Sequence, residues 1–569
     1  MMEIEFFLSS SLEKVFPCSR PAEQERGAVL SVWRGARAAV QLVYRVQNDV
    51  RGQLIPSFAL EITGGPVQPS LRSVELVPSE LPCYKGADEN YLSTEPGLYP
   101  DLLRPLEGNL LHPIPNQYRS VWMSWEIPMD AEPGTYTVSI TARALEEWRT
   151  PLDVLVRNPD APRQVFENQL TLRVCRAELP PQKLLHTEWF YADCLASYYQ
   201  VEPLSERHWE IIDRFIGEAA RHGINMLLTP VFTPPLDTAV GHERPTVQLV
   251  EVFEEDGRFR FGFEKLERWT ALCRKHGIPN LEITHFFTQW GAEATPKIMA
   301  HTKEGYQRIF GWDVPAADPK YREFLKAFIP ALRARLEELG FDRDHVWFHL
   351  SDEPATDKLD SYHAARRQVV DLLEGCLVID ALSDVQFYRE GLIKIPVPAI
   401  NHIRPFLEEG IEGLWSYYCC SQYRQVPNRF FAMPSARNRI MGVLWYLNRI
   451  AGFLHWGFNF YYRQYSLGNI NPFQVTDAGH AFPSGDPFLV YPGEEGEPLS
   501  SIRAEVQDDA QLDLRALQLL ESLAGREMVE QLVEQEAGMS CVAFEEYPRD
   551  ARFLLALRER VAGEIESRI

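Results

Sequence analysis

Val346-Trp-Phe-His-Leu-Ser-Asp-Glu-Pro354 reads as a short apolar strand that ends in two carboxylates and a proline. Val346, Trp347 and Phe348 supply the β-branched and aromatic bulk, and Pro354 stops the run. Its neighbours decide what kind of strand it is. A helical pattern precedes it over 319–339, and another follows over 360–374. Outward from there, the same alternation extends from 182 to 465. Strand-like runs fall at 184–189, 225–228, 280–284, 345–350, 377–382, 399–402, 413–417 and 452–458. Further helical patterns lie at 206–222, 264–276 and 435–450. Strands and helices in that order predict a (β/α)8 TIM barrel over 182–465. A doubly wound sheet is the alternative, but no Gly-rich phosphate loop follows the first strand. Asp256-Gly257, set between alternating runs over 247–263, predicts a hairpin inserted in a βα loop.

Before the barrel the period changes to two. Ala39-Val-Gln-Leu-Val-Tyr44, Ser120-Val-Trp-Met-Ser-Trp-Glu126, Thr135-Tyr-Thr-Val-Ser-Ile140 and Gln169-Leu-Thr-Leu-Arg-Val174 alternate in the manner of antiparallel strands. Residues 1–178 are therefore expected to form an antiparallel β-sandwich. The Pro-rich stretch 83–118 is expected to be a long loop reaching toward the barrel. Glu178-Leu-Pro-Pro181 marks the boundary, because consecutive prolines make a stiff linker. Residues 466–569 begin Pro/Gly-rich and then show helical patterns at 500–523, 525–536 and 550–568, expected to pack on the barrel. The fold class is thus multidomain, with β-sandwich, barrel and C-terminal helices in that order.

Composition narrows the function. With 45% hydrophobic and 24% charged residues, the chain is globular. A net charge of −23 repels phosphate backbones and argues against nucleic acid. No run approaches the roughly 18 apolar residues of a membrane helix, so no membrane partner is expected. The N-terminal MMEIEFFLSSSLEKVF lacks the basic and apolar regions of a signal peptide. The 9 cysteines form no paired framework. Together these features lead us to expect reduced thiols and a cytoplasmic protein. Neither CxxC nor HExxH occurs, so no metal or cofactor is expected.

Barrel active sites lie at the C-terminal ends of the strands. Asp352 and Glu353 fall there. Strand neighbours point to opposite faces, but where the chain turns both can meet one pocket. Two adjacent carboxylates repel, so their environments must differ and one keeps its proton near neutral pH. Glycosidic cleavage needs such a proton donor beside a charge-stabilising group. The competing reading is a helix start, where acidic residues meet the dipole and proline suits the first turn.

The other strand ends nominate a substrate-binding set. Strand one offers Glu188 and Trp189, and strand three His285, followed by Gln289-Trp290. Strand five offers Asp380 and Asp384, the latter equally a helix cap. Strand seven offers Trp415 and Tyr417, and strand eight Trp456 and Asn459. Aromatic planes at these places stack on sugar rings or simply fill the core.

His349-Leu-Ser-Asp352-Glu353-Pro354 resembles the catalytic motif of glycoside hydrolase family 123. Gly442-Val-Leu-Trp-Tyr446 and Gly452-Phe-Leu-His-Trp-Gly-Phe-Asn459 resemble that family's last helix and strand. Gly485-Asp-Pro-Phe-Leu-Val-Tyr-Pro-Gly493, leading to Ser500-Ser-Ile-Arg503, resembles its C-terminal segment. His455 departs, standing where relatives often carry Tyr. The resemblance implies a retaining exo-β-N-acetylgalactosaminidase that uses the substrate's own 2-acetamido group as nucleophile. It implies Glu353 as general acid/base and Asp352 as the residue that orients the acetamido group. The partner is then an oligosaccharide or glycoconjugate. A barrel glycosidase for a different sugar and a non-catalytic carbohydrate-binding protein are the alternatives.

Overall fold

The computed structural model describes residues 2–24, 27–47, 54–149, 154–158, 163–353 and 358–569. Its N-terminal part contains two sheets. The first is antiparallel, in the spatial order Glu3–Ser10, Arg37–Gln47, Arg119–Glu126, Ser70–Ser79, Gly97–Pro105. The second runs Val29–Val32, Val165–Val174, Gly134–Arg149, Ile55–Thr63, Leu110–Leu111, antiparallel except where Val165–Val174 pairs in parallel with Val29–Val32. The period-two runs place one apolar face of each sheet inward. Phe6 of the first sheet meets Phe58 and Phe166 of the second, each at 5.0 Å between ring centres.

The Pro-rich stretch is only partly the expected loop, because Gly97–Pro105 is a strand with a register shift opposite Glu75/Leu76. The residues ahead of it do reach the barrel. The Tyr84 hydroxyl donates to the Ala481 carbonyl at 2.6 Å, and the Tyr91 hydroxyl to that of Tyr423 at 2.8 Å. Arg437 donates to both oxygens of Asp88, at 2.9 and 3.0 Å.

The second part is a near-closed barrel of eight parallel strands. Strands one to eight are Leu185–Glu188, Met226–Thr229, Asn280–Ile283, Val346–Phe348, Leu377–Ala381, Ile395–Val397, Trp415–Tyr417 and Gly452–His455. Each pairs with its chain neighbour except six and seven, which form the seam, and strand eight pairs back to strand one. Strand six corrects an expectation: it lies at Ile395–Val397, not at 399–402. Pro396 and Pro398 disguise the run and remove two ladder donors. Closure against strand seven is correspondingly slight. Ile400 N donates to the Tyr417 carbonyl at 3.0 Å, and Tyr417 N to that of Pro398 at 3.0 Å. The expected hairpin is present as Glu251–Glu255 paired with Arg258–Gly262, and Ile298–Thr302 extends it in parallel with Glu251–Glu255.

Helix Ile502–Ala524 packs across the barrel's last helical turns. Gly442 lies so close to the Ala510 backbone that no side chain would fit there. Arg439 pairs with Asp513 at 2.7 and 3.2 Å. Among the described residues, no helix is long and apolar enough to cross a membrane.

Candidate active site

Strand four delivers the carboxylate pair, and the next turn aims it. Glu353 adopts a left-handed φ of 43°, a conformation that costs a non-glycine residue about 1–3 kcal/mol. Its N–H donates to the Ala381 carbonyl at 3.1 Å, which ties the turn to strand five. Asp352 accepts the Trp290 N–H on its own carbonyl at 2.9 Å. This turn brings Asp352 and Glu353 to one cavity of about 210 Å³. Pro354, the third residue of the motif, lies outside the described residues.

Both carboxyls titrate above the usual carboxylate range. Burial raises Asp352 most, the neighbouring Glu353 charge raises it further, and His349 opposes both. Burial also raises Glu353, against the hydrogen bond that its Oε1 accepts from the Tyr417 hydroxyl at 2.6 Å. Glu353 keeps open surface toward the cavity, and Asp352 sits deeper.

The walls are aromatic. Trp189, Tyr191, Trp290, Tyr417, Trp456 and Phe482 line the cavity together with Leu236, Asp237, Gln289, Ala381, Leu454, Gln464 and the adjacent Cys419 and Cys420. Polar groups behind the walls hold these rings. The Trp456 indole N–H donates to Asp486 at 2.9 Å, and that of Trp189 donates to Glu282 at 2.8 Å. Glu282 also accepts from Thr187 and, at 2.6 Å, from His349 Nε2. His349 Nδ1 stands 3.4 Å from Asp380. Burial pulls the His349 imidazolium down, but Asp380 and Glu282 outweigh it and raise its pKa to about 9. A buried cation flanked by two carboxylates therefore sits below the pair.

The family model "Glycoside hydrolase 123, catalytic domain" matches residues 189–520. The chain belongs to glycoside hydrolase family 123. A solved family 123 glycoside hydrolase from Clostridium perfringens shares the fold, with a TM-score of 0.69 at 15% identity over 99% of this chain and 98% of that one. A putative β-galactosidase from Bacteroides fragilis reaches a TM-score of only 0.28 at 9% identity, covering 89% of this chain and 60% of that one. A GH2 β-galacturonidase from Eisenbergiella tayi reaches 0.29 at 11% identity, covering 85% and 72%. No curated protein matches the sequence.

In this family 123 chain the substrate-binding set divides in two. Trp189, Tyr417 and Trp456 line the cavity. The other five do not, each for a visible reason. Glu188 is fully buried, and Arg429 grips it at 2.6 and 3.0 Å, holding its carboxyl far below the usual range although burial opposes this. His285 lies beneath the cavity floor, stacked on His349 at 4.2 Å; burial and the His349 charge keep it neutral. Asp384 caps the short helix Gln386–Arg389 by accepting the Gln386 N–H at 2.9 Å. Trp415 is core, packed on Trp347 and pressed so closely on Gly452 that no Cβ would fit there. Asn459 is buried and bridges strand eight to the strand-one loop, accepting from Tyr191 N at 2.8 Å and donating to its carbonyl at 3.1 Å.

Asp237, Gln464 and Phe482 also line the cavity, and they come from loops beyond the strand ends, where no strand pattern marks them. Tyr191 lies two residues past the strand-one pair, and Gln289-Trp290 follow His285 in the loop after strand three; all three line the cavity. Among the described residues, no group of three His, Cys, Asp or Glu side chains could hold a metal ion.

Proposed function

We propose that this protein is a retaining exo-glycosidase that releases a terminal β-linked N-acetylgalactosamine, or a related 2-acetamido sugar, by substrate-assisted catalysis. The observation that carries the reading is the adjacency of Asp352 and Glu353 in one aromatic cavity, both with raised pKa. Ordinary retaining enzymes place two carboxyls about 5–5.5 Å apart on opposite sides of the anomeric carbon. Side chains one residue apart, issuing from one turn, are poorly disposed to bracket a sugar that way. A nucleophile supplied by the substrate removes the need.

In this mechanism Glu353 protonates the leaving oxygen and later deprotonates the water that opens the oxazolinium intermediate. Asp352 accepts the acetamido N–H and stabilises the positive charge that develops there. Asp352 is raised further than Glu353, burial being the first cause for both. The pair titrates as a unit, and an amide N–H donated to Asp352 favours its ionised form, which moves the shared proton toward Glu353. The Trp189 and Trp456 faces offer stacking surface for the sugar ring. A cavity of about 210 Å³ lies below the roughly 300–1,000 Å³ of drug-sized ligand sites, which suits one terminal sugar unit. The Clostridium perfringens relative is described in work on glycolipid glycan hydrolysis, and a glycolipid or oligosaccharide glycan is the corresponding substrate class here.

A second reading comes from Asp237, a carboxylate of the cavity wall that lies outside the pair. Acting as nucleophile or base, it would give a glycosidase indifferent to an acetamido group. Nitrophenyl β-glycosides of GalNAc, GlcNAc, Gal and Glc separate the two. Release from the acetamido sugars alone is expected. Equal release from the plain hexosides would overturn substrate assistance, because these lack the internal nucleophile. A thiazoline analogue of the oxazolinium intermediate is expected to bind far more tightly than the product sugar.

A further inference from the structure

Asp237 is held with unusual care for a residue of a long loop. Its N–H donates to the Gln289 side chain. Its carbonyl accepts the Ser466 hydroxyl at 2.7 Å, and its Oδ2 accepts the Tyr465 N–H at 2.9 Å. Ala239 N closes the clasp onto the Tyr465 carbonyl at 3.0 Å. The loop after strand two is thus locked to the turn after strand eight. Asp237, Trp290, Tyr465 and Ser466 all take left-handed φ values, of 40°, 60°, 59° and 57°. Such strain persists only where the surroundings over-determine it, and it gathers at ligand-binding sites.

One atom is left out of this clasp. Asp237 Oδ1 accepts no hydrogen bond from the described residues, and Asp237 lines the catalytic cavity. Burial raises its pKa to about 6, against the Tyr465 N–H and Arg244, so the group is ionised at neutral pH. A rigid carboxylate with one oxygen engaged and one open is built to accept an O–H group. A sugar ring offers hydroxyls as donors.

We propose that Asp237 is a specificity-determining residue whose Oδ1 accepts a hydrogen bond from one ring hydroxyl of the terminal sugar. The proposal rests on the glycosidase reading above but not on the acetamido group. A pocket built to bond a hydroxyl discriminates strongly against a sugar that lacks it, because its own polar group is then left unpaired.

The test crosses protein and substrate changes. Wild type, Asp237→Asn and Asp237→Ala are assayed on the nitrophenyl glycoside that wild type cleaves best and on its 3-, 4- and 6-deoxy forms. Asparagine keeps the shape and the acceptor for Tyr465 N, so it separates loss of charge from loss of the clasp. For wild type, one deoxy position is expected to lower kcat/KM by about 10- to 100-fold or more. In the variants the parent substrate loses about 10- to 100-fold, mostly in KM, and the same deoxy change then costs less than about threefold. Losses that multiply at every position would overturn the proposal. Where variant turnover is too slow to measure, calorimetric binding of the thiazoline and its deoxy forms gives the same cycle. Failure of the acetamido reading would show separately, as wild-type cleavage of plain hexosides.

Discussion

At Glu353 a single hydrogen bond sets which way the proton leans. The Tyr417 hydroxyl donates to Oε1 and so favours the ionised carboxylate, against the burial that favours the acid. A general acid works while protonated, so activity declines as pH rises through its pKa. Tyr417→Phe removes the donor and raises that pKa. The alkaline limb of the kcat/KM profile is therefore expected to move to higher pH; movement to lower pH would remove Glu353 from the acid role. Glu353→Gln is expected to lose about 10²–10⁴-fold on natural linkages and much less on nitrophenyl glycosides, whose leaving group needs little protonation. Asp352→Asn is expected to damage both substrate types, and a near wild-type rate would break its assignment. The pair's place at a strand end was legible in the sequence because the apolar run Val346-Trp-Phe348 stops just ahead of it. Glu188 misled for an equally physical reason. Its partner Arg429 is 241 residues away, and no local pattern announces a buried ion pair made across that distance.

The barrel strands carry their own electrostatics. Glu282 on strand three, His349 after strand four and Asp380 on strand five form one fully buried acid–imidazolium–acid row. Replacing His349 with Gln leaves two acids without their cation, at a cost of about 3–5 kcal/mol. The sign with pH follows from linkage. His349 has a folded pKa of about 9, above its usual 6.5. Its contribution is fully present below pH 6.5 and is lost as pH rises through 9. Urea denaturation of wild type and His349→Gln is expected to differ most near pH 6 and least near pH 10. A gap that widened with pH would mean a neutral His349 in the folded protein. Seven strands announced themselves as apolar runs between helices. Strand six did not, because Ile395-Pro-Val-Pro398 reads as a strand breaker, and only the sheet around it makes it a strand.

The two parts of the chain share buried charge, so the molecule responds as one body. Asp101, on a strand of the first N-terminal sheet, is fully buried and accepts from Arg503 at 2.8 and 2.9 Å and from the Tyr491 hydroxyl at 2.6 Å. Arg503 opens the helix Ile502–Ala524 and also donates to the carbonyls of Gly485 and Phe488, each at 2.7 Å. Between those two residues stands Asp486, which holds Trp456 against the cavity. An N-terminal carboxylate is thereby three contacts from the cavity wall. Asp101→Asn leaves the Arg503 charge buried and under-compensated, a loss of about 3–5 kcal/mol. Thermal unfolding is expected several degrees lower. The kcat/KM measured well below that transition is also expected to fall, through KM more than kcat, because the Trp456 wall loosens while Asp352 and Glu353 stay in place. A variant that melted early yet kept the wild-type KM would show that the N-terminal sheets support only stability. A raised KM would make them part of how the cavity is shaped.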